Sequence, residues 1–171
     1  TLQNVNKMCL DVALGMEHIH KNNYVHRDLA TRNVLVSKEG NLITYKVADF
    51  GLTQPKGEDG KYIPNGPETM NIQSLSPHFI KSNYYDERTD IWSYLCLLVE
   101  ICNGVRPWSE KKLSDLDLYK FLKSVNQSEF PSIQTTESSF SKLIEVYEYI
   151  KSNYYQDDSD LSFAKIIEML V

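Results

Sequence analysis

The hydrophobic residues near the start of the chain recur at helical spacing. Between Asn4 and Asn22 they fall three or four positions apart, at Val5, Met8, Cys9, Val12, Ala13, Met16 and Ile19, which predicts a helix with one buried face. Thr89 to Asn103 is apolar on almost every side and is followed by Gly104, so we expect a helix buried within the core. Further amphipathic helices are expected to begin near three serines: Ser114, Ser138 and Ser159.

A different pattern follows the first helix. Residues 33–36 and 42–47 are short β-rich pieces separated by Lys38-Glu39-Gly40-Asn41, which predicts a small hairpin. Residues 54–77 are rich in Gly, Pro, Asn and Ser and show neither the helical nor the strand period of apolar residues. A loop of that length is usually functional or disordered. We therefore predict one mainly helical unit, with a hairpin and a long loop inserted after its first helix.

Composition and charge exclude several classes of protein. The chain has 171 residues, 42% hydrophobic and 24% charged, which suits one globular domain rather than a disordered or fibrous chain. A formal charge of −5 argues against binding to nucleic acid or to an anionic membrane. No basic leader with an apolar core opens the chain, and the longest apolar run is too short to span a bilayer. We expect no membrane segment and a cytoplasmic protein, or a position on the cytoplasmic side of a membrane protein.

The cysteines give no sign of a disulfide framework or a zinc site. Cys9, Cys96 and Cys102 lie in apolar stretches, and no CxxC pair occurs. We interpret them as buried, reduced thiols.

Two motifs that suit phosphoryl transfer follow each other in the chain. His26-Arg27-Asp28-Leu29-Ala30-Thr31-Arg32-Asn33 is followed, sixteen residues after Asn33, by Asp49-Phe50-Gly51. Phosphoryl transfer needs a base to orient the acceptor hydroxyl, and oxygen ligands to hold Mg²⁺ against the triphosphate of ATP. Asp28 is the candidate base, while Asn33 and Asp49 are candidate ligands for up to two Mg²⁺ ions. The predicted hairpin would bring Asn33 and Asp49 back together.

These motifs resemble those of the protein kinases, and the resemblance covers essentially the whole chain. HRDLATRN, which has no lysine two places after the aspartate, resembles the tyrosine kinases, and VHRDLATRNVLV followed by ADFGLT looks most like the Janus-type cytoplasmic kinases. The resemblance implies the mainly α C-terminal lobe of a kinase as a single domain over 1–171, built as a helical bundle around a buried central helix. Within it, 26–33 would be the catalytic loop, 49–51 the DFG motif and 49–78 the activation segment. The implied activity is transfer of the ATP γ-phosphoryl group to a protein or peptide tyrosine.

The resemblance also implies roles for individual residues. Arg32 would place the phosphate and the acceptor ring, and Leu35 would lie under the adenine. His26 and Phe50 would belong to the hydrophobic spine, so we expect no proton transfer by His26. Asp90 would be the buried helix residue that fixes the backbone of the catalytic loop.

The expected activation segment contains a single tyrosine, Tyr62. By resemblance it is a candidate phosphorylation site, and a phosphate there would need cationic partners. Arg27 is the first candidate for such a partner. The alternative is that Tyr62 is an ordinary loop tyrosine.

The substrate shelf departs from the pattern of the tyrosine kinases. Residues 71–78 stand where those kinases usually have Pro-x-x-Trp before Ala-Pro-Glu, which removes an apolar anchor and a rigid residue. His78 replaces the glutamate of that motif, and Asp160 replaces the arginine that ordinarily pairs with it. We hypothesise a reversed ion pair between His78 and Asp160; the alternative is independent change at the two positions.

No small-lobe motif precedes the first helix. The chain contains no GxGxxG and no strand lysine with a partner glutamate for the nucleotide phosphates. We therefore expect a fragment of a longer kinase or a truncated gene product, which needs the N-terminal lobe as its partner and binds ATP poorly alone. A non-catalytic kinase-like scaffold or regulatory module is the alternative function.

Overall fold

The computed structural model describes residues 2–124 and 129–171. Asn126-Gln127-Ser128, which has the form of a glycosylation acceptor and is interpreted as a surface loop, lies outside the described residues. The helices are α1 (Leu2–Lys21), α2 (Pro77–Ser82), α3 (Glu87–Asn103), α4 (Asp115–Ser124), α5 (Ser141–Asn153) and α6 (Phe163–Leu170). The strands are β1 (Tyr24–Val25), β2 (Val34–Glu39), β3 (Leu42–Val47) and β4 (Gln54–Pro55).

Helix α3 is the buried centre of the fold, as its apolar pattern predicts. Twelve of its residues are buried, so it contacts protein on nearly all sides. The helix begins with a capping box, in which the Asp86 carboxylate accepts the Thr89 amide at 3.1 Å and the Thr89 hydroxyl accepts the Asp86 amide at 3.2 Å. It ends at Gly104, whose φ of 69° lies in the left-handed region that favours glycine. The prediction of a mainly helical bundle around a buried central helix is confirmed.

The predicted hairpin is present and packs on α1. Strands β2 and β3 pair antiparallel, with Val34 opposite Val47. The Asp11 carboxylate of α1 accepts the Tyr45 amide of β3 at 3.0 Å. Gly15 allows the close approach, because a Cβ there would lie 3.1 Å from Cγ2 of Val47. These contacts fix the end of the hairpin that carries residues 33 and 48–50.

The long loop contains short pieces of structure that its composition does not predict. Strand β4 pairs antiparallel with β1, and the backbones of Tyr62 and Tyr85 exchange two hydrogen bonds of 2.8 Å. Helix α2 begins at Pro77, where the Ser76 hydroxyl accepts the Phe79 amide at 3.3 Å. A strand of two residues cannot show a period of 2, and the six residues of α2 span less than two helical turns, so the sequence carries little signal for these elements.

The remaining helices and the cysteines follow the predictions closely. Helix α4 is capped by Ser114, α5 follows a 3-10 turn at Ser138–Phe140, and α6 begins at Phe163 with Ser162 as its N-cap, slightly later than predicted. All three cysteines are buried and free. Within the residues that the structure describes, no helix is long and apolar enough to cross a membrane.

Candidate active site

The backbone of residues 26 and 27 is held by one buried carboxylate. Asp90 of α3 is 1% exposed, and its two oxygens accept the amides of His26 at 2.8 Å and Arg27 at 3.0 Å. Oδ2 of Asp90 also lies 2.9 Å from Nε2 of the buried His20. Burial would raise the pKa of Asp90, but these hydrogen bonds outweigh it, led by that from His20, and lower the pKa below its ordinary value. An ionised carboxylate in the core therefore fixes the start of the loop.

Both ring nitrogens of His26 are committed to the backbone. Nε2 lies 3.1 Å from the carbonyl oxygen of Ala48, and Nδ1 accepts the Asp28 amide at 3.2 Å. The Phe50 ring packs against the imidazole edge to face, with centroids 5.5 Å apart. The imidazole thus connects residue 28 to residues 48–50. Neither of its nitrogens is free for proton transfer.

Asp28, Arg32 and Asn33 form one hydrogen-bonded cluster. Oδ1 of Asp28 accepts from Arg32 at 2.5 Å, and Oδ2 accepts from Nδ2 of Asn33 at 3.0 Å. The same Asn33 amide group donates to the carbonyl oxygen of Asp28 at 2.8 Å. Asn33 is 7% exposed, whereas the Asp28 side chain is 13% exposed. The carboxylate is therefore fixed in orientation and still reachable from outside.

The hairpin brings the backbone of Asn33 next to residues 48 and 49. The carbonyl oxygen of Asn33 accepts the Ala48 amide at 2.9 Å. Asp49 follows with φ of 61°, an uncommon conformation for a non-glycine residue. Its exposed side chain accepts the Gly51 amide through Oδ1 at 3.2 Å. Asn33 and Asp49 thus occupy the same end of the hairpin.

The oxygens available at this end suit Mg²⁺ held together with a phosphate ligand. Nδ2 of Asn33 is used by Asp28, and among the described residues Oδ1 accepts no hydrogen bond. One amide oxygen and one carboxylate are hard donors of the kind that Mg²⁺ takes alongside phosphate and water. The described residues contain no group of three or more Asp, Glu, His or Cys side chains able to hold a metal by themselves. These residues fit Mg²⁺ that arrives with a nucleotide rather than a closed protein cage.

A cleft opens directly beside Asp28. Its volume is about 310 Å³, and its walls include Asp28, Arg32, Gln73, Arg106 and Asp115. Arg106 donates to the amide oxygen of Gln73 at 3.3 Å. The carboxylate of Asp28 is therefore reachable from this cleft.

Comparisons with known proteins agree with this geometry. The model of the family described as "Protein tyrosine and serine/threonine kinase" matches residues 1–168. The chain belongs to the protein kinase family. It is 34% identical over 171 residues to the serine/threonine-protein kinase STY17 of Arabidopsis thaliana, covering 99% of this chain and 27% of that protein.

Growth factor receptors are among the relatives too. Fibroblast growth factor receptor homolog 1 of Drosophila melanogaster is 35% identical over 127 residues, covering 74% of this chain and 17% of the receptor. Platelet-derived growth factor receptor beta of Takifugu rubripes is 41% identical over 106 residues, covering 61% of this chain and 10% of the receptor. The chain therefore spans about a quarter or less of the length of these curated relatives.

Three further candidate residues, Leu35, Phe50 and Tyr62, lie outside this cluster of hydrogen bonds. Leu35 projects from β2 with 59% of its surface exposed, and Phe50 is 54% exposed. Tyr62 lies over Arg27, with its ring centroid 5.0 Å from the guanidinium carbon. The hydroxyl of Tyr62 donates to Glu68 at 2.7 Å. Glu68 was not predicted, because a single carboxylate in a loop without periodicity carries no signal of its partner.

The hypothesis of an ion pair between His78 and Asp160 is wrong. Nε2 of His78 lies 3.3 Å from Oδ2 of Asp86, whereas Oδ1 of Asp160 accepts from the Tyr149 hydroxyl at 2.6 Å. Across residues 2–124 and 129–171, no ion pair joins His78 to Asp160. The physical reason is local: Asp86, the N-cap of α3, follows α2 closely, while Asp160 lies beside α5.

The shelf over residues 71–78 is held by small polar contacts. The hydroxyls of Ser76 and Tyr154 lie 2.6 Å apart in the core. The Ser93 hydroxyl donates to the carbonyl oxygen of Ser74 at 3.3 Å. Serine at 74 contributes no ring to this packing.

Proposed function

We propose that this chain is the C-terminal lobe of a protein tyrosine kinase, which transfers the γ-phosphoryl group of ATP to a protein or peptide tyrosine when a small lobe completes it. One observation carries the proposal: the Asp28 carboxylate is fixed between Arg32 and Asn33 at the edge of a cleft of about 310 Å³. In this proposal residues 26–33 are the catalytic loop, 49–51 the DFG motif and 49–78 the activation segment of a single domain over 1–171.

Asp28 would act on the acceptor hydroxyl. Its oxygens face Arg32 and Asn33, so the carboxylate has one orientation in which to accept a hydrogen bond from the substrate and then take its proton. Protein kinases rely mainly on such positioning and on charge neutralisation, because little covalent chemistry falls to the protein. Arg32 lies beside the same cleft and would orient the phosphate and the acceptor ring.

Asn33 and Asp49 would hold the metal. Bound Mg²⁺, one ion or two, supplies neutralisation of the charge on the ATP phosphates. The exposed apolar side chains of Leu35 and Phe50, 59% and 54% accessible, support a surface that the adenine and the small lobe cover. The chain holds only half of such a nucleotide site, so alone it would bind ATP weakly.

Specificity for tyrosine rests on residues 30 and 32. Ala30 puts no cation and little volume two positions after Asp28, which leaves room for a longer acceptor side chain. Two of the relatives are named as growth factor receptors, and STY17 is named as a serine/threonine kinase. The motifs resemble the Janus-type cytoplasmic kinases, so a cytoplasmic site of action, or the cytoplasmic side of a membrane protein, belongs to the proposal.

The test is phosphotransfer by a polypeptide in which this chain is joined to its small lobe. Matched peptides that differ only in tyrosine or serine at the acceptor position would be compared with Mg²⁺ and ATP. We expect phosphotyrosine, and a loss of about 10²- to 10⁴-fold in kcat for Asp28→Asn, the usual contribution of an acid-base group. Asp158→Asn, an exposed aspartate in a turn, is the matched control and should keep full activity.

Two outcomes would overturn parts of the proposal. Transfer to serine but not to tyrosine would refute the assignment of substrate. Absence of transfer from the completed, folded protein would favour the scaffold or regulatory module, for which the altered shelf at 71–78 is the supporting observation.

A further inference from the structure

The Arg27 side chain is buried between two tyrosine rings, and among the described residues two of its three guanidinium nitrogens have hydrogen-bond partners. It is 3% exposed, and its guanidinium carbon lies 5.0 Å and 4.5 Å from the ring centroids of Tyr62 and Tyr85. Nη1 donates to the carbonyl oxygen of Leu52 at 3.0 Å, and Nη2 donates to Oε2 of Glu68. Among the described residues, Glu68 provides the one carboxylate within ion-pair distance of this guanidinium.

The same carboxylate also binds Tyr62. Its Oε1 accepts the Tyr62 hydroxyl at 2.7 Å. The hydrogen bond to Glu68, followed by burial, raises the pKa of Tyr62 above its ordinary value. Tyr62 is in turn joined to Tyr85 by two backbone hydrogen bonds of 2.8 Å. One carboxylate therefore links residue 27, residue 62 and the chain that leads into α3.

We propose that Glu68 is a positioning residue whose carboxylate supplies, from within the chain, the anion that fixes Arg27 and orders residues 52–68 without a phosphate on Tyr62. Arg27 directly precedes Asp28, so fixing the Arg27 side chain also helps to hold the proposed base in position. The inference rests on the proposed function for its consequence in catalysis, but its structural content does not depend on phosphotransfer.

The arrangement also determines what a phosphate on Tyr62 does. Phosphorylation removes the hydroxyl proton that Glu68 accepts and adds about −1.5 to −2 units of charge at that oxygen. The phosphate and the Glu68 carboxylate then compete for one guanidinium and repel each other. In the natural chain phosphorylation loosens the cluster, whereas in a chain without Glu68 the phosphate takes its place on Arg27.

The test is a thermodynamic cycle read by hydrogen exchange. Amide exchange of Tyr62 and Tyr85 is measured by NMR in the natural chain and in Glu68→Ala, each with tyrosine or phosphotyrosine at position 62. Because hydrogen bonds to charged groups are the stronger class, we expect Glu68→Ala to speed exchange of the Tyr62 amide by about tenfold or more. Phosphotyrosine speeds exchange in the natural chain and slows it in Glu68→Ala.

Two further variants make the cycle specific. Glu58→Gln removes the same charge from an exposed position in the same loop and should leave both amides unchanged. Glu68→Gln keeps the volume and one acceptor but not the charge, and should give intermediate exchange; it also serves if the alanine variant does not fold.

The proposal is overturned if the Glu68 variants exchange like the natural chain. It is also overturned if phosphotyrosine protects the natural chain as well as it protects Glu68→Ala, because the phosphate would then have its own site. Neither result depends on phosphotransfer, so failure here is distinguishable from failure of the proposed function.

Discussion

The loop at 26–33 and the shelf at 71–78 lie on the same cleft but are held in different ways. In the loop, the backbone amides of His26 and Arg27 bind one buried carboxylate, Asp90, and both nitrogens of the His26 ring face backbone groups. The shelf depends on the buried Leu75, on the Ser76–Tyr154 hydroxyl pair and on a partly buried contact between His78 and Asp86. The backbone at the start of the loop therefore depends on one residue, whereas the shelf is held by several separate contacts.

The largest effect should come from Asp90→Asn. The substitution removes a buried charge that accepts hydrogen bonds from His20, His26 and Arg27. Removing one member of a buried charged network typically costs about 3–5 kcal/mol. We expect a loss of that size in the free energy of unfolding, measured by urea denaturation, with Asp158→Asn unchanged. If Asp90→Asn lowered the free energy of unfolding no more than a surface substitution does, Asp90 would not be the residue that holds the loop.

The same variant should alter how stability depends on pH. The pKa of Asp90 is lowered in the folded protein from an ordinary value of 3.8, so its stabilisation is present above that value and is lost as pH falls through the folded pKa. The difference in unfolding free energy between the natural chain and Asp90→Asn should shrink as the pH falls below about 4. Growth of the difference in acid would contradict the direction assigned to this pKa.

The sequence predicts whole elements well and the partners of single side chains poorly. Helix α3 is long enough for its apolar pattern to be visible, and the hairpin is indicated by two β-rich pieces with turn formers between them. The position of the hairpin between Asn33 and Asp49 indicates that it returns one to the other. The partners of single side chains are not encoded in any period. Glu68 lies in an aperiodic loop, and His78 and Asp160 bind the neighbours that local geometry brings closest rather than each other.

A smaller effect is expected at the buried hydroxyl pair of the shelf. Tyr154→Phe removes the group that lies 2.6 Å from the Ser76 hydroxyl and leaves a buried serine with one partner fewer, at a cost of about 1 to 2 kcal/mol. Tyr155→Phe is the matched control, because the buried Tyr155 hydroxyl has no hydrogen-bond partner among the described residues. The control should be neutral or slightly stabilising. Equal losses in the two variants would mean that the hydroxyl pair does not anchor the shelf.

The smallest effect is expected between His78 and Asp160. Each has its own partner, Asp86 and Tyr149 respectively. A double-mutant cycle with His78→Gln and Asp160→Asn should therefore give a coupling energy below about 0.5 kcal/mol, as for independent sites. Coupling well above this would show that the two side chains form an ion pair after all.

The most direct test of the central claim, that Asn33 and Asp49 form one metal site beside Asp28, is paramagnetic broadening by Mn²⁺ and ATP in a polypeptide that joins this chain to its small lobe. The account predicts that the amide resonances of residues 33–34 and 48–50 broaden together, and that Asp49→Asn abolishes the effect while Asp158→Asn preserves it. Broadening at only one of the two stretches, or broadening that survives in Asp49→Asn, would contradict it.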